Sequence, residues 1–306
     1  MSVDRLSAAL RGISGVHVTP YLHSGEPDWL AMGLVVRAIA DAGIHNIVSA
    51  GNTGEFYPMT VAEIERSHAV AAEAAAGAAM VTAGIGRSQR EAIAMGHHAR
   101  AAGCDAVMVH HPLDPFAAPA AQADYILGIA EALELPVVAY IRSDAIGLAD
   151  LVRVATHPNV AGVKFASTNL MLLAECIRAS AGSKAIWICG LAEGWAAPFY
   201  ALGARGFTSG LVNVIPERSL AIWGALEAGD YAAARHLIDP IAPFEAMRTK
   251  YGNGANVTVV KEAMAVLGRE VGPVRVPGLP ALSAAENSEL RRIIRSWATA
   301  PDAEAR

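Results

Sequence analysis

Residues 159–166, Asn-Val-Ala-Gly-Val-Lys-Phe-Ala, form a short apolar run that follows His157-Pro158. A run of this length and composition predicts a buried β-strand. The chain alternates such runs with longer, Ala-rich segments that have the length of helices. Several runs are almost continuously apolar, as is typical of parallel strands covered on both faces. The predicted strands are residues 13–18, 44–49, 79–84, 105–109, 136–140, 160–165, 185–189 and 206–211.

Helices are predicted between these strands, near residues 28–42, 60–76, 88–102, 119–134, 147–156, 168–181 and 193–203. Repeated strand–helix units without hairpin turns are typical of a parallel sheet. An open doubly wound sheet would carry a glycine-rich fingerprint after its first strand, whereas here Val18-Thr19-Pro20-Tyr21 follows. The pattern therefore predicts an α/β fold of the (β/α)8 type, a TIM barrel, in residues 1–215.

The last third of the sequence has a different character. Residues 217–268 are predicted to be helical, a connection rich in Pro and Gly covers 272–283, and a last helix lies near 284–297. We expect residues 216–306 to form a small helical C-terminal extension packed on the barrel. The tail at 299–306 is expected to be frayed.

Composition argues against several classes of protein. Hydrophobic residues make up 53% of the 306 residues and charged residues 17%, so a large core can form. The formal net charge of −5 argues against a nucleic-acid partner. No apolar stretch approaches the roughly 18 residues that span a bilayer, and the N-terminus lacks the apolar core of a secretory signal. Cys104, Cys176 and Cys189 form no metal or redox pattern, so we expect a protein of the reducing cytoplasm.

Lys164 is the leading candidate for chemistry. Only four of the 24 Lys and Arg residues are lysines, namely Lys164, Lys184, Lys250 and Lys261. A chain that prefers arginine has thus kept an amine in a predicted buried strand. Desolvation favours the neutral amine, which can attack a carbonyl group and form a Schiff base. The alternative is a structural lysine that reaches solvent or pairs with a carboxylate.

In a barrel of this type the active site forms at the C-terminal ends of the strands. The second predicted strand leads into residues 51–55, Gly-Asn-Thr-Gly-Glu, whose backbone N–H groups and threonine hydroxyl could cradle a carboxylate. We expect Gly51, Asn52 and Thr53 to bind substrate and Glu55 to brace the loop. A plain turn is the alternative for this stretch.

Three other strand ends complete the predicted site. Tyr140 ends strand five, beside the strand that carries Lys164, and its hydroxyl could relay a proton to and from a carbinolamine. A tyrosine packed in the core is the alternative. Arg142 could bind a second anionic group. Small residues after strands seven and eight leave room for a ligand over Lys164, namely Gly190, Ser209 and Gly210.

Strand four ends in His110-His111. His111 could face the cavity as an acid, a base or a substrate ligand, and a packing histidine is the alternative. The pair also raises the alternative of a metal-dependent barrel enzyme that uses His110 or His111. Metal sites need several ligands from different strands, and the predicted ends of strands one, five, six and eight carry no Asp or Glu, so we expect no metal.

Together these residues resemble the dihydrodipicolinate synthase / N-acetylneuraminate lyase family of class I aldolases and dehydratases, over nearly the whole chain. Lys164 matches the family's Schiff-base lysine, Tyr140 its proton-shuttling tyrosine and residues 51–55 its carboxylate-binding loop. The resemblance implies a (β/α)8 barrel that acts on a small-molecule 2-oxo acid, such as pyruvate or a keto-deoxy sugar acid. It also implies no metal or organic cofactor, and a homo-oligomer, a dimer or a tetramer.

Two departures from this family bear on the substrate. Its dihydrodipicolinate synthases follow the strand-five tyrosine with Asn-Val-Pro, where this chain has Ile141-Arg142-Ser143. They also carry a pair of tyrosines after strand four, where residues 111–116 here are His-Pro-Leu-Asp-Pro-Phe. The sequence therefore favours a lyase that dehydrates or cleaves a 3-deoxy-2-oxo sugar acid. Pyruvate condensation of the synthase kind and a non-catalytic 2-oxo-acid-binding protein are the alternatives.

Overall fold

The computed structural model describes residues 3–114 and 116–299 of the chain. Eight parallel strands close into a barrel in sequence order, with the last strand paired to the first. They are β1 (Ile13–Val16), β2 (Asn46–Ser49), β3 (Met80–Ile85), β4 (Ala106–Val109), β5 (Val137–Ile141), β6 (Val160–Phe165), β7 (Ile186–Cys189) and β8 (Phe207–Ser209). The predicted (β/α)8 barrel is confirmed, and every strand lies within two residues of its predicted ends.

Most of the helices alternate with the strands and cover the outside of the barrel, and the others close one end of it or form the C-terminal extension. The helices are α1 (Val3–Arg11), α2 (Trp29–Asp41), α3 (Val61–Ala75), α4 (Gln89–Ala101), α5 (Pro119–Ala132), α6 (Leu148–Thr156), α7 (Leu170–Ala179), α8 (Glu193–Ala201), α9 (Pro216–Glu227), α10 (Tyr231–Ile238), α11 (Ala242–Arg248), α12 (Asn256–Val266) and α13 (Ala284–Thr299). Capping boxes begin α3, with Thr60 and Glu63, and α4, with Ser88 and Glu91. Each satisfies backbone N–H groups that a first helical turn leaves unpaired.

Helix α1 was not predicted from the sequence. Its buried side chains Leu6 and Leu10 join a core cluster with the inward-facing residues of the barrel, such as Val16 and Met80. The helix contacts β1, β6 and β7. It therefore closes the N-terminal end of the barrel, and the opposite end, where the strands terminate, remains available for a site.

The C-terminal extension is less regular than predicted. The stretch 217–268 is interrupted at 249–255, a turn between α11 and α12 with positive φ angles at Tyr251 and Asn253. Helix α9 packs against α8 and β1 in the position of an eighth barrel helix. The division of the chain at residue 215 stays a prediction. Of the predicted frayed tail, Thr299 is the last residue of α13, and 300–306 lie outside the described residues. Within the described part of the chain, no helix is both long and apolar enough to cross a bilayer.

Candidate active site

Lys164 and Tyr140 are direct neighbours, because the register of β6 on β5 pairs them. Lys164 is only 4% exposed, and its Nζ lies 4.0 Å from the centre of the Tyr140 ring. Among the residues that the structure describes, none gives this amine a hydrogen bond or a carboxylate partner. Burial, and then the Arg142 cation, lower the pKa of Lys164 to about 7. Much of the amine is therefore neutral and nucleophilic at neutral pH.

The Tyr140 hydroxyl is held by the loop after β2. Asn52 Nδ2 donates a hydrogen bond to Tyr140 Oη at 3.0 Å. Burial raises the pKa of Tyr140 to about 12, so its hydroxyl stays protonated at neutral pH. A protonated phenol fixed beside an amine can donate a proton and take it back.

The loop after β2 is held rigidly at both ends. Gly51 packs so closely on β1 that a Cβ there would lie 2.5 Å from Val16 Cγ1. The Thr19 hydroxyl donates to the Gly54 carbonyl at 2.7 Å. The Glu55 side chain forms a buried 2.6 Å ion pair with Lys261 of α12. Glu55 therefore braces the loop against the extension, as the sequence indicated.

An open cavity of about 430 Å³ lies over Lys164 at the C-terminal ends of the strands. Eight of the ten side chains and glycines expected at the site line it: Asn52, Thr53, Tyr140, Arg142, Lys164, Gly190, Ser209 and Gly210. Gly51 and His111 are not part of this lining. Gly51 shapes the loop backbone instead.

Neither histidine at the end of β4 lines the cavity. His110 is buried, its ring stacks on Phe56 with centroids 4.0 Å apart, and its Nε2 bonds the Ala50 carbonyl at 2.9 Å. Burial lowers the pKa of His110 to about 3, so it packs as a neutral ring. His111 is half-buried, and burial also lowers its pKa. Within residues 3–114 and 116–299, no three His, Cys, Asp or Glu side chains form a metal-binding group.

Ser209 lines the cavity and connects it to a buried carboxyl group. Its hydroxyl donates to Glu193 Oε1 at 2.5 Å, and Ser219 donates to the same oxygen at 2.6 Å. Burial and the nearby Glu245 raise the pKa of Glu193 well above its usual range. The hydrogen bond to the buried Glu193 carboxyl group, which Ser219 also holds, keeps the Ser209 side chain in one position at the cavity wall.

Sequence reasoning missed part of the cavity wall. The remaining polar and aromatic lining residues are Tyr57, Trp195, Thr208, Glu245, Arg248, Thr249, Asn253 and Asn256. Five of these belong to the C-terminal extension, which folds over the open end of the barrel. Their local sequence predicts only helix and turn, so nothing in it pointed to the site.

Comparison with known proteins assigns the chain to a family. Residues 9–296 match the model of the dihydrodipicolinate synthetase family. The chain belongs to this family. A relative from Methylobacterium radiotolerans, named "Probable 5-dehydro-4-deoxyglucarate dehydratase", is 33% identical over 84% of this chain and 85% of its own length. A 4-hydroxy-tetrahydrodipicolinate synthase from Methanoculleus marisnigri is 30% identical over 92% of this chain and 98% of its own length.

Solved structures of the same family superpose on the whole barrel. The crystal structure of dihydrodipicolinate synthase from Bacillus clausii is 39% identical, has a TM-score of 0.93 and covers 96% of this chain and 99% of that protein. The family and the dehydratase-named relatives together show an enzyme that is a carbon–oxygen or carbon–carbon lyase. The resemblance stated from the sequence, and the enzyme class expected from it, are confirmed.

Proposed function

We propose that this chain is a Schiff-base lyase that dehydrates or cleaves a 3-deoxy-2-oxo sugar acid. The observation that carries the proposal is Lys164, a buried amine that lines an open cavity and has no partner among the described residues. Relatives named as dehydratases of a six-carbon oxo sugar diacid support the substrate class.

In the proposed reaction the neutral amine of Lys164 attacks C2 of the substrate. Tyr140 donates a proton to the carbinolamine oxygen, water leaves, and a Schiff base remains. The iminium is an electron sink that makes the C3 hydrogens acidic. For dehydration, a C3 proton leaves to give an enamine, which expels the C4 hydroxyl as a second water. For cleavage, the C4 hydroxyl loses its proton and the C3–C4 bond breaks, which releases an aldehyde and leaves an enamine that is protonated at C3 and hydrolysed to pyruvate. This covalent route, in which Lys164 itself supplies the electron sink, asks for no metal or organic cofactor.

Two ends of the cavity would hold the substrate's charges. Asn52, Thr53 and the loop amides lie at the wall beside Tyr140, where they would bind the C1 carboxylate. Arg142 lines the same cavity, is exposed at its mouth, and has no carboxylate partner among the described residues. It would bind the second carboxylate of a diacid.

A second function is favoured by the similarity to solved dihydrodipicolinate synthases: condensation of pyruvate with aspartate semialdehyde. It would begin with the same Schiff base on Lys164. The absence of tyrosine from residues 111–116 supports the sugar-acid proposal over this one.

The proposal places the enzyme in the cytoplasm as a homo-oligomer, a dimer or a tetramer, as family resemblance implies. Cys104, Cys176 and Cys189 are free thiols, which supports a reducing compartment. Sedimentation of the purified protein measures the oligomeric state.

Borohydride trapping followed by product analysis tests the function. Reduction with pyruvate present should add the ligand's mass at Lys164, and labelling at Lys184, Lys250 or Lys261 instead would contradict the mechanism. Turnover is then assayed on 3-deoxy-2-oxo pentonates, hexonates and hexarates, with pyruvate release separating cleavage from dehydration. Efficient condensation with aspartate semialdehyde, and no turnover of the sugar acids, would overturn the substrate class and leave the Schiff base intact.

A further inference from the structure

Arg248, at the end of α11, brings a second guanidinium group into the active-site cavity. It is 7% exposed, and its neighbours fix its plane. Its Nη1 donates to both carboxylate oxygens of Glu245, at 2.7 and 2.9 Å, and its Nε donates to Asn256 Oδ1 at 2.9 Å. A guanidinium held at two nitrogens has little rotamer freedom left to lose when it binds a ligand.

The third nitrogen of Arg248 is left available. Its Nη2 makes no hydrogen bond to any residue that the structure describes, and it lies 2.6 Å from where a Cβ on Gly210 would stand. The same Cβ would stand 3.5 Å from Thr53 Cγ2. The Nη2 group, which carries two N–H donors, therefore lies beside Gly210 and close to Thr53 in the wall of the cavity, and glycine at position 210 is what makes room for it.

The charge of Arg248 is already neutralised, unlike that of Arg142. Glu245 pairs with it through both oxygens, and buried Glu193 is a further carboxyl group close enough to interact with it. Binding another carboxylate here would place extra negative charge beside two acidic groups. A neutral hydroxyl oxygen can accept a hydrogen bond from the same N–H groups without this electrostatic repulsion. Arg142, which has no acidic partner among the described residues, is the better receptor for a carboxylate.

We infer that Arg248 is a specificity-determining residue that recognises a hydroxyl group of the substrate chain, while Arg142 binds the distal carboxylate. This rests on the proposed function, because both residues act on a substrate held covalently by Lys164. It assigns the extension a direct part in substrate selection. Glu245 and Asn256 are then positioning residues for Arg248.

Three probes separate these roles. Pyruvate has neither a hydroxylated chain nor a second carboxylate, 2-oxoadipate has the carboxylate alone, and a 3-deoxy-2-oxohexarate has both. The concentration dependence of borohydride trapping gives an apparent affinity for each. Arg248→Met should weaken binding of the hexarate by about 10- to 100-fold, as expected for a lost hydrogen bond to a charged group, and change the other two by less than about threefold.

Arg142→Met is the matched control and should weaken binding of both diacids much more than that of pyruvate, which it affects only through the pKa of Lys164. Arg248→Lys keeps the charge opposite Glu245 and loses the planar fork, so it answers the question if the methionine variant folds poorly. It too should lose affinity for the hexarate selectively.

Equal losses for 2-oxoadipate and the hexarate in both Arg248 variants would overturn the inference, since they would mean carboxylate binding or a purely structural role. A wild-type enzyme that binds the two diacids equally would overturn it as well. Absence of any pyruvate adduct in the wild type is a different result, because it contradicts the proposed function itself.

Discussion

Lys164 and Lys261 are both buried, at 4% and 3% exposure, and both lie over a tyrosine ring, Tyr140 at 4.0 Å and Tyr21 at 4.5 Å. Their remaining neighbours differ. Lys261 Nζ forms a 2.6 Å ion pair with Glu55 and donates to the Pro273 carbonyl at 2.8 Å. Lys164 has neither kind of partner among the described residues and faces a cavity. Burial lowers the pKa of both, and only Lys261 has a carboxylate that opposes the shift.

The difference shows what makes a buried lysine reactive. Burial alone disfavours the charged amine, but a carboxylate in contact restores the charge and holds the amine in place as part of the fold. The amine of Lys164 instead keeps its lone pair available and has space in front of it for a carbonyl group. Under the proposed function, the same residue type therefore does chemistry at the barrel mouth and stabilises structure in the extension.

Replacing each lysine with methionine is the strongest test of this comparison. Lys164→Met should abolish the borohydride-trapped adduct and all turnover, because no nucleophile remains. The melting temperature of this variant should rise. A lysine whose pKa is lower in the folded state destabilises that state at every pH below the pKa that it has in the unfolded chain. That gain should shrink as the pH increases from 7 towards 10. Adduct formation by Lys164→Met would refute the assignment of the nucleophile.

The tyrosines under the two lysines should differ in the same way. Tyr140→Phe should lower kcat by about 10²- to 10⁴-fold, the usual loss when an acid–base group is removed, and leave the fold intact. Tyr21→Phe is the matched control, because the Tyr21 hydroxyl is buried without a hydrogen-bond partner among the described residues. It should leave kcat within a few-fold. An unaltered kcat in Tyr140→Phe would mean that another group carries the proton.

Removing Lys261 should affect stability and spare the chemistry. Lys261→Met leaves the buried Glu55 carboxylate without its ion-pair partner, which costs roughly 3–5 kcal/mol of unfolding free energy. Denaturant unfolding measures this loss, and the folded fraction should still form the pyruvate adduct. Adding Glu55→Gln to the same variant should recover part of the loss. Unchanged stability in Lys261→Met would show that the ion pair contributes nothing.

The smallest expected effect concerns pH. The rate of adduct formation should rise with pH through a midpoint near 7, because the neutral amine of Lys164 is the reactive form. Arg142 contributes to the lowered pKa, so Arg142→Met should move the midpoint to higher pH by a fraction of a unit. Arg100→Met, on the outside of α4, is the control and should not move it. A midpoint above pH 9 in the wild type would contradict the lowered pKa.

The chain order of apolar runs was enough to predict the barrel. Each strand is short and followed by a helix-length segment, and several strands are nearly continuously apolar. This pattern repeats eight times and leaves little choice of topology. Lys164, Tyr140 and residues 51–55 followed from the same pattern, because the strand ends of a barrel meet at one edge. The same pattern did not predict helix α1, because its apolar side chains are buried only by the barrel end that it closes.

His111 and Arg248 show where local sequence stops being informative. Both carry groups suited to a site, and only the path of the backbone decides that Arg248 lines the cavity and His111 does not. Arg248 reaches Thr53 through Asn256, a contact between residues about 200 positions apart in the chain. Such contacts depend on how the extension packs over the barrel. This packing joins residues that are far apart in the chain, so a short stretch of sequence cannot predict it. The residue types present thus point to the proposed covalent chemistry, and the packing of distant segments around Lys164 decides the space and the hydrogen-bond donors that a substrate would meet.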